Sequence, residues 1–187
     1  TSKESYTYDP ASNLKTKTDP KGQVITYDYD ALNRLTFKTY TGCAVVICTG
    51  NVDYIYDEGS RLKKIGTVPG PEGTVPIFLI DYAYDALNRV KRSDTAFNNQ
   101  TFTLSYQYDS AGNRTQLTYP HGRIVNYTYD ELNRLSSLRG GPGGADEAIS
   151  FGYDALSRRT SFTRPNGITT NYAYDTLNRL TQIQHGS

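Results

Sequence analysis

The sequence predicts an all-β fold: a continuous antiparallel meander of about eight β-hairpins. Three observations carry that prediction. A Tyr-Asp pair recurs with its Asp at Asp9, Asp30, Asp57, Asp85, Asp109, Asp130, Asp154 and Asp175. The residues before each pair alternate between apolar and polar, and those after it favour tight turns. The steps between successive anchors are 21, 27, 28, 24, 21, 24 and 21, so 21 is the base unit and longer steps hold insertions. The 187 residues read as one repeat array, with insertions near 41–50, 66–78 and 139–148.

Each unit opens on a strand. Two positions before the anchor Tyr stands a second Tyr, or Phe151 in the seventh copy; the motif accounts for fifteen of the 17 tyrosines. Tyr-x-Tyr places both rings on one face, because side chains alternate along a strand. Ile25, Tyr27 and Tyr29 share that face, as do Val125, Tyr127 and Tyr129. Tyr82 with Tyr84 and Tyr172 with Tyr174 repeat the pattern, while Thr26, Asp28, Asn126 and Thr128 fall on the other face. With 17 Tyr and 6 Phe but no Trp or Met, the chain must build its core from tyrosine. Each buried hydroxyl then needs a partner. Truncating a buried Tyr129 to Ala is expected to cost roughly 3–5 kcal/mol, against well under 1 for Thr128→Ala.

A turn follows each strand. The third residue after the anchor Asp is always Asn, Ser or Gly: Ser12, Asn33, Ser60, Asn88, Gly112, Asn133, Ser157 and Asn178. Those types tolerate left-handed geometry, which fits a type I turn closed by a bulge residue of positive φ. The Asp carboxylate is placed to accept hydrogen bonds from the turn's own N–H groups. Arg34, Arg61, Arg89, Arg134, Arg158 and Arg179 come next, each opposite its Asp. Leu35, Leu62, Leu135 and Leu180 then lie opposite the second Tyr, in cross-strand pairs of about 0.2–1 kcal/mol each. Between units, Asp19-Pro-Lys-Gly22, Tyr119-Pro-His-Gly122 and Arg164-Pro-Asn-Gly167 supply a second turn.

Bulk properties exclude several classes. The 20 Lys+Arg against 19 Asp+Glu give a net charge of +1, no electrostatic footprint for nucleic acid. No apolar run approaches a membrane span; Val75-Pro-Ile-Phe-Leu-Ile80 is short and broken by Pro76. Without an initiator Met or signal core, the chain reads as a mature product or an excised piece. Neither end carries a capping unit, which predicts a longer parent chain or edge-to-edge self-association.

Cys43 and Cys48 suit one local disulfide, and hence an oxidising compartment. Two thiols without a nearby His make a poor zinc site, a redox pair prefers closer spacing, and two free cysteines stay open. His121 and His185 each precede a Gly and read as turn residues. The Gly140–Gly144 run reads as a loop extension rather than a phosphate loop, since no helix follows. Asp81, Asp85 or Asp146-Glu147 would bind an ion weakly at most, because no loop has EF-hand spacing.

YDALNRL (29–35), YDELNRL (129–135) and YDTLNRL (174–180) resemble the YD repeats of the Rhs family, with relatives among bacterial wall-associated proteins and animal teneurins. The turns YDPASNL, YDEGSRL, YDSAGNR and YDALSRR depart from that pattern. The resemblance implies a spiral β-sheet shell or tube segment of a secreted or cell-surface protein. Its partners would be further YD repeats of the same or neighbouring chains, with a toxin domain enclosed elsewhere in the parent. The residues after Asn178 resemble neither a cleavage segment nor a toxin; TQIQHGS begins another strand.

The Tyr-Asp and Asp/Arg combinations are the constellations with catalytic flavour. A catalytic residue is needed once, in one tuned environment, whereas these recur at structural spacing. The expected function is thus a structural shell or scaffold segment, forming the wall of a hollow β-sheet assembly or a self-assembling filament or tube, not an enzyme, with no cofactor or metal. The alternative is a cell-surface module binding glycan or protein through its tyrosine-rich surface.

Overall fold

A computed structural model of the chain describes residues 3–42, 51–68, 78–141 and 148–186. Each Tyr-x-Tyr segment runs as a strand, and each anchor Asp begins the reversal that ends it. The described residues form sixteen strands ordered in the sheet as in the sequence, and every described pairing is antiparallel. The helical element among them is a single 3-10 turn, Pro120–Gly122.

The chain divides into two units, Thr1–Thr103 and Leu104–Ser187, with the division inside one strand. The first unit holds β1 (Ser5–Tyr8), β2 (Leu14–Thr18), β3 (Val24–Tyr29), β4 (Leu35–Thr41), β5 (Asn51–Tyr56), β6 (Leu62–Val68), β7 (Leu79–Tyr84) and β8 (Val90–Phe97). It also holds the start of β9 (Gln100–Tyr108), reached through a turn in which Asn98 and Asn99 both have positive φ, 48° and 60°. That is the type I′ signature. The second unit continues with β10 (Arg114–Thr118), β11 (Ile124–Tyr129), β12 (Leu135–Gly141), β13 (Ala148–Tyr153), β14 (Arg159–Thr163), β15 (Thr169–Tyr174) and β16 (Leu180–Gly186).

Register follows the hairpin chemistry. Tyr29 faces Leu35, Tyr56 faces Leu62, Tyr129 faces Leu135 and Tyr174 faces Leu180. Each YD hairpin then slips by one residue: Asp28 faces Phe37 and Tyr27 faces Lys38, leaving Thr36 as a bulge. The slip reverses the phase of the second strand, so Phe37 falls on the polar face although it stands two residues from Leu35. Such bulges bend a strand and increase its twist.

The tyrosine face is half-buried rather than enclosed. Among the described residues the buried apolar side chains are Leu117 and Val125, 7% and 8% exposed, which face each other across β10 and β11. Described tyrosines are half-buried or, as with Tyr6 and Tyr8 on β1, exposed. The expected tyrosine core is therefore corrected to a half-exposed tyrosine face, several of whose rings carry a guanidinium.

Two further expectations change. His185 is not a turn residue: it lies in β16, with Nδ1 2.9 Å from the Oγ1 of Thr170, itself 2% exposed. Gly140 and Gly141 continue β12 instead of opening a loop. A Cβ on Gly140 would stand 2.7 Å from Cγ2 of Val125 and 2.8 Å from the carbonyl oxygen of Ile124. Close approach of the neighbouring strand requires glycine there. Cys43, Cys48, Asp146 and Glu147 lie outside the described residues.

Candidate functional site

The YD turn repeats with nearly constant geometry. At the second copy the Asp30 N–H donates to the Arg34 carbonyl at 3.0 Å, and the Asn33 N–H to the Asp30 carbonyl at 3.0 Å. Asn33 takes φ 57°, and every predicted bulge residue has positive φ: Ser12, Ser60, Asn88, Gly112, Asn133, Ser157 and Asn178. Oδ1 of Asp30 accepts the N–H groups of Leu32 and Arg34 at 2.9 and 3.0 Å. Oδ2 accepts the Arg34 guanidinium, Nε at 2.7 Å and Nη2 at 2.6 Å. Asp85 with Arg89, Asp130 with Arg134 and Asp175 with Arg179 repeat this, with Nε–Oδ2 distances of 2.7, 2.7 and 2.6 Å. Asp57–Arg61 and Asp154–Arg158 do likewise. In the remaining copies the side-chain amides of Asn13 and Asn113 take the place of the guanidinium, at 3.1 and 3.0 Å.

These bonds favour the charged carboxylate and hold all eight anchor Asp groups below the usual carboxylate range. The Arg34 guanidinium is the largest cause at Asp30, and the Asn13 amide at Asp9. At Asp57, Asp85, Asp130 and Asp175 the leading cause is the backbone N–H of the following Arg. At Asp109 and Asp154 partial burial pushes upward, and the hydrogen bonds together outweigh it.

What the sequence did not disclose is how far these residues reach. The Tyr29 hydroxyl donates to the Leu14 carbonyl of the preceding hairpin at 3.0 Å, Tyr56 to Leu35 at 3.0 Å and Tyr84 to Leu62 at 2.7 Å. In the second unit Tyr129 donates to Arg114, Tyr153 to Leu135 and Tyr174 to Arg159, at 3.0, 3.0 and 2.9 Å. Burial raises the phenol pKa of Tyr29, Tyr84 and Tyr129 above its ordinary value.

The arginines reach the other way. Arg34 Nη1 donates to the Ser60 hydroxyl of the next turn at 2.9 Å, while its guanidinium stacks 4.6 Å from the Tyr56 ring. Arg61 reaches the Asn88 side chain at 2.5 Å and stacks on Tyr84 at 4.7 Å. Arg134 donates to the Ser157 hydroxyl and the Asp154 carbonyl, at 3.1 and 3.0 Å, and covers Tyr153 at 4.8 Å. Arg158 does the same to Asn178 and Tyr174. One side chain therefore closes its own turn and grips the next. A recoverable signal existed: each of these arginines faces an Asn or Ser in the following turn.

The first tyrosines of each pair behave differently. Tyr27 and Tyr54 flank the Lys38 ammonium, 5.5 Å from each ring centre. Tyr127 and Tyr172 carry the guanidinium groups of Arg114 and Arg159 at 4.5 and 4.8 Å. Tyr82 faces Ser93. Asp81, considered above as a weak ion ligand, pairs with Lys64 at 3.0 Å.

The RHS Repeat model matches residues 5–42, 84–124, 108–146 and 153–187. The chain belongs to the RHS repeat family. Among solved structures it is similar to a crystal structure of TcdB2-TccC3-TEV, at TM-score 0.78 and 14% identity, covering 97% of this chain and 10% of that one. A TcdB2-TccC3 structure without the hypervariable C-terminal region matches at TM-score 0.59 and 14% identity, covering 97% and 11%. The Photorhabdus luminescens Tc holotoxin pore matches at 0.53 and 17%, covering 96% and 12%. At these identities the likeness concerns the fold, and this RHS chain spans about a tenth of the structures it matches. Among curated proteins there is no match.

Proposed function

We propose that this chain is a stretch of wall in a hollow β-sheet shell built by a larger secreted protein. The observation that carries the reading is the two-way linkage of hairpins. Each linking Tyr bonds back to the hairpin before it, and each linking Arg grips the turn after it. A sheet assembled this way extends by adding units and needs no second layer to hold its order. Family membership and the fold shared with TcdB2-TccC3 support the same reading. Its partners are then further YD repeats, and the parent's shell encloses a toxin domain. The Tyr, Asp and Arg residues of the motif serve as linkers. Asp85→Asn and Asp130→Asn lower stability and remove no activity.

The recognition alternative draws on the half-exposed rings. It is weakened at Tyr56, Tyr84, Tyr153 and Tyr174, where a stacked guanidinium covers the ring and the hydroxyl is engaged. Tyrosine fluorescence unchanged across a glycan panel would count against it. Cryo-electron microscopy of the native particle tests the wall reading. A closed hollow shell supports it; an open fibre or a solid globule contradicts it.

A further inference from the structure

Two arginines of the second unit stand where the other repeats carry an aliphatic residue. The fifth position after the anchor Asp is Leu14, Leu35, Leu62, Val90, Leu135 or Leu180, but Arg114 and Arg159 in the two remaining copies. Each opens a strand beside its YD turn, opposite Tyr108 and Tyr153 respectively, so its side chain emerges on the tyrosine face. The Arg114 guanidinium lies on the Tyr127 ring and that of Arg159 on the Tyr172 ring. Neither guanidinium has an ion pair or hydrogen bond among the described residues, and Arg114 Nε is shut from solvent without a partner. Enclosing an unpaired donor costs stability, a cost that leucine would not incur. Sheet stability therefore does not explain these arginines.

Their surroundings supply no counter-charge. No strand from β10 to β16 contains Asp or Glu. Asp109, Asp130, Asp154 and Asp175 are engaged in closing their own turns. In the first unit, strand cations off the tyrosine face come with carboxylates: Lys15 with Asp28, Lys64 with Asp81 and Arg92 with Asp94, at 2.7, 3.0 and 2.8 Å. Between Arg114 on β10 and Arg159 on β14 lie β11, β12 and β13. Four strand spacings set the two arginines about 19 Å apart. The surface between and beside them is apolar: Leu138 faces Ile149, and the Phe151 and Phe162 rings stand 5.5 Å apart, all four side chains only half-buried.

We propose that this surface binds an acidic amphipathic polypeptide segment, its carboxylates on Arg114 and Arg159 and its apolar side chains on Leu138, Ile149, Phe151 and Phe162. A carboxylate docks end-on across the two Nη groups of a guanidinium, which the stacked ring and the enclosed Nε leave free. An extended chain rises about 3.3 Å per residue, so carboxylates about six residues apart reach both arginines from one side of the chain. The residues between them turn alternately onto the apolar surface. Sparse cations with hydrocarbon between them select this class of partner. Nucleic acids and uronate polysaccharides repeat their charge at every unit or two, and would lay most of those charges over apolar side chains. The inference concerns this face alone and goes beyond the wall reading, since a shell forms equally well whether or not the face is occupied.

Fluorescence anisotropy with the whole 187-residue chain under reducing conditions tests it. The probe is a synthetic peptide of about ten residues carrying a neutral dye, with two glutamates at that spacing and leucine at alternate positions between them. Saturable binding below about 1 mM is expected, weakening as salt rises from about 0.05 to 0.5 M. Arg114→Leu/Arg159→Leu should weaken it about tenfold or more, with unchanged circular dichroism and melting, since six copies carry an aliphatic residue there. Replacing both glutamates of the peptide by glutamine should weaken binding to the same degree. Arg139→Gln, which removes a cation from the other face, should bind as the wild type does. Absence of saturation by the acidic peptide overturns the proposal, as does equal binding of the glutamine peptide or undiminished binding by the double Leu variant. An oligogalacturonate that binds more tightly than the peptide overturns it in favour of an acidic glycan.

Discussion

Tyr129 is half-buried and its hydroxyl is committed to the Arg114 carbonyl, so truncating it removes part of a ring and one hydrogen bond. Tyr129→Ala should cost about 2–3 kcal/mol, below the figure for a fully enclosed ring. Tyr129→Phe should cost about 1 kcal/mol through the orphaned carbonyl. Thr128 is exposed on the other face, bonded to the hydroxyls of Ser136 and Ser137, and Thr128→Ala should cost under about 1 kcal/mol. Urea denaturation with constant m-values measures all three. Equal losses at 128 and 129 would overturn the face assignment. Gly140→Ala should cost about 1–3 kcal/mol, since the new methyl meets Val125 and the Ile124 backbone.

At the scale of the hairpin, turn chemistry was the most legible part of the sequence. Asn, Ser or Gly at the third position after Asp specified positive φ, and all eight positions adopt it. The predicted pairing of Asp with Arg and of Tyr with Leu also holds. Less legible was the bulge after that pair. Thr36, Ser136 and Lys63 look like ordinary strand residues, and only backbone register reveals them as the slipped ones. Plain alternation counted from Leu35 would therefore put Phe37 on the face opposite to the one it occupies. The Asn98-Asn99 turn was legible in principle, for Asn tolerates left-handed backbone, but it lacks the glycine that usually marks such hairpins. Asn133→Ala should lower stability by about 1–2 kcal/mol, through strain at φ 58° and the lost bond from Asn113 at 2.8 Å. Asn133→Gly keeps the geometry and should lose less. Thermal melts of the two variants give the comparison.

Across the whole molecule the repeated ionisations act in concert. All eight anchor carboxyls are held below their ordinary range, so the unfolded chain binds protons more readily than the folded one as acid is added. Their contribution is complete above the unfolded Asp value, near pH 4, and is lost as pH falls through the depressed folded values. The buried phenols act at the other limit. Tyr29, Tyr84 and Tyr129 keep their protons above pH ~10, where the unfolded chain releases them, so stability falls as pH rises beyond that point. Melting temperature against pH should show a plateau with both shoulders; a profile unchanged below pH ~4 would contradict the carboxylate geometry. Linkage between hairpins was the part of this organisation that sequence spacing did not reveal, because it depends on which way a guanidinium extends from its turn. Arg134→Ala with native-state hydrogen exchange examines it most directly. If Arg134 grips the next turn, exchange should rise in residues 154–157 and in β13 and β14, as well as in its own hairpin. Faster exchange confined to residues 124–141 would show that the hairpins stand independently, contrary to a linked wall.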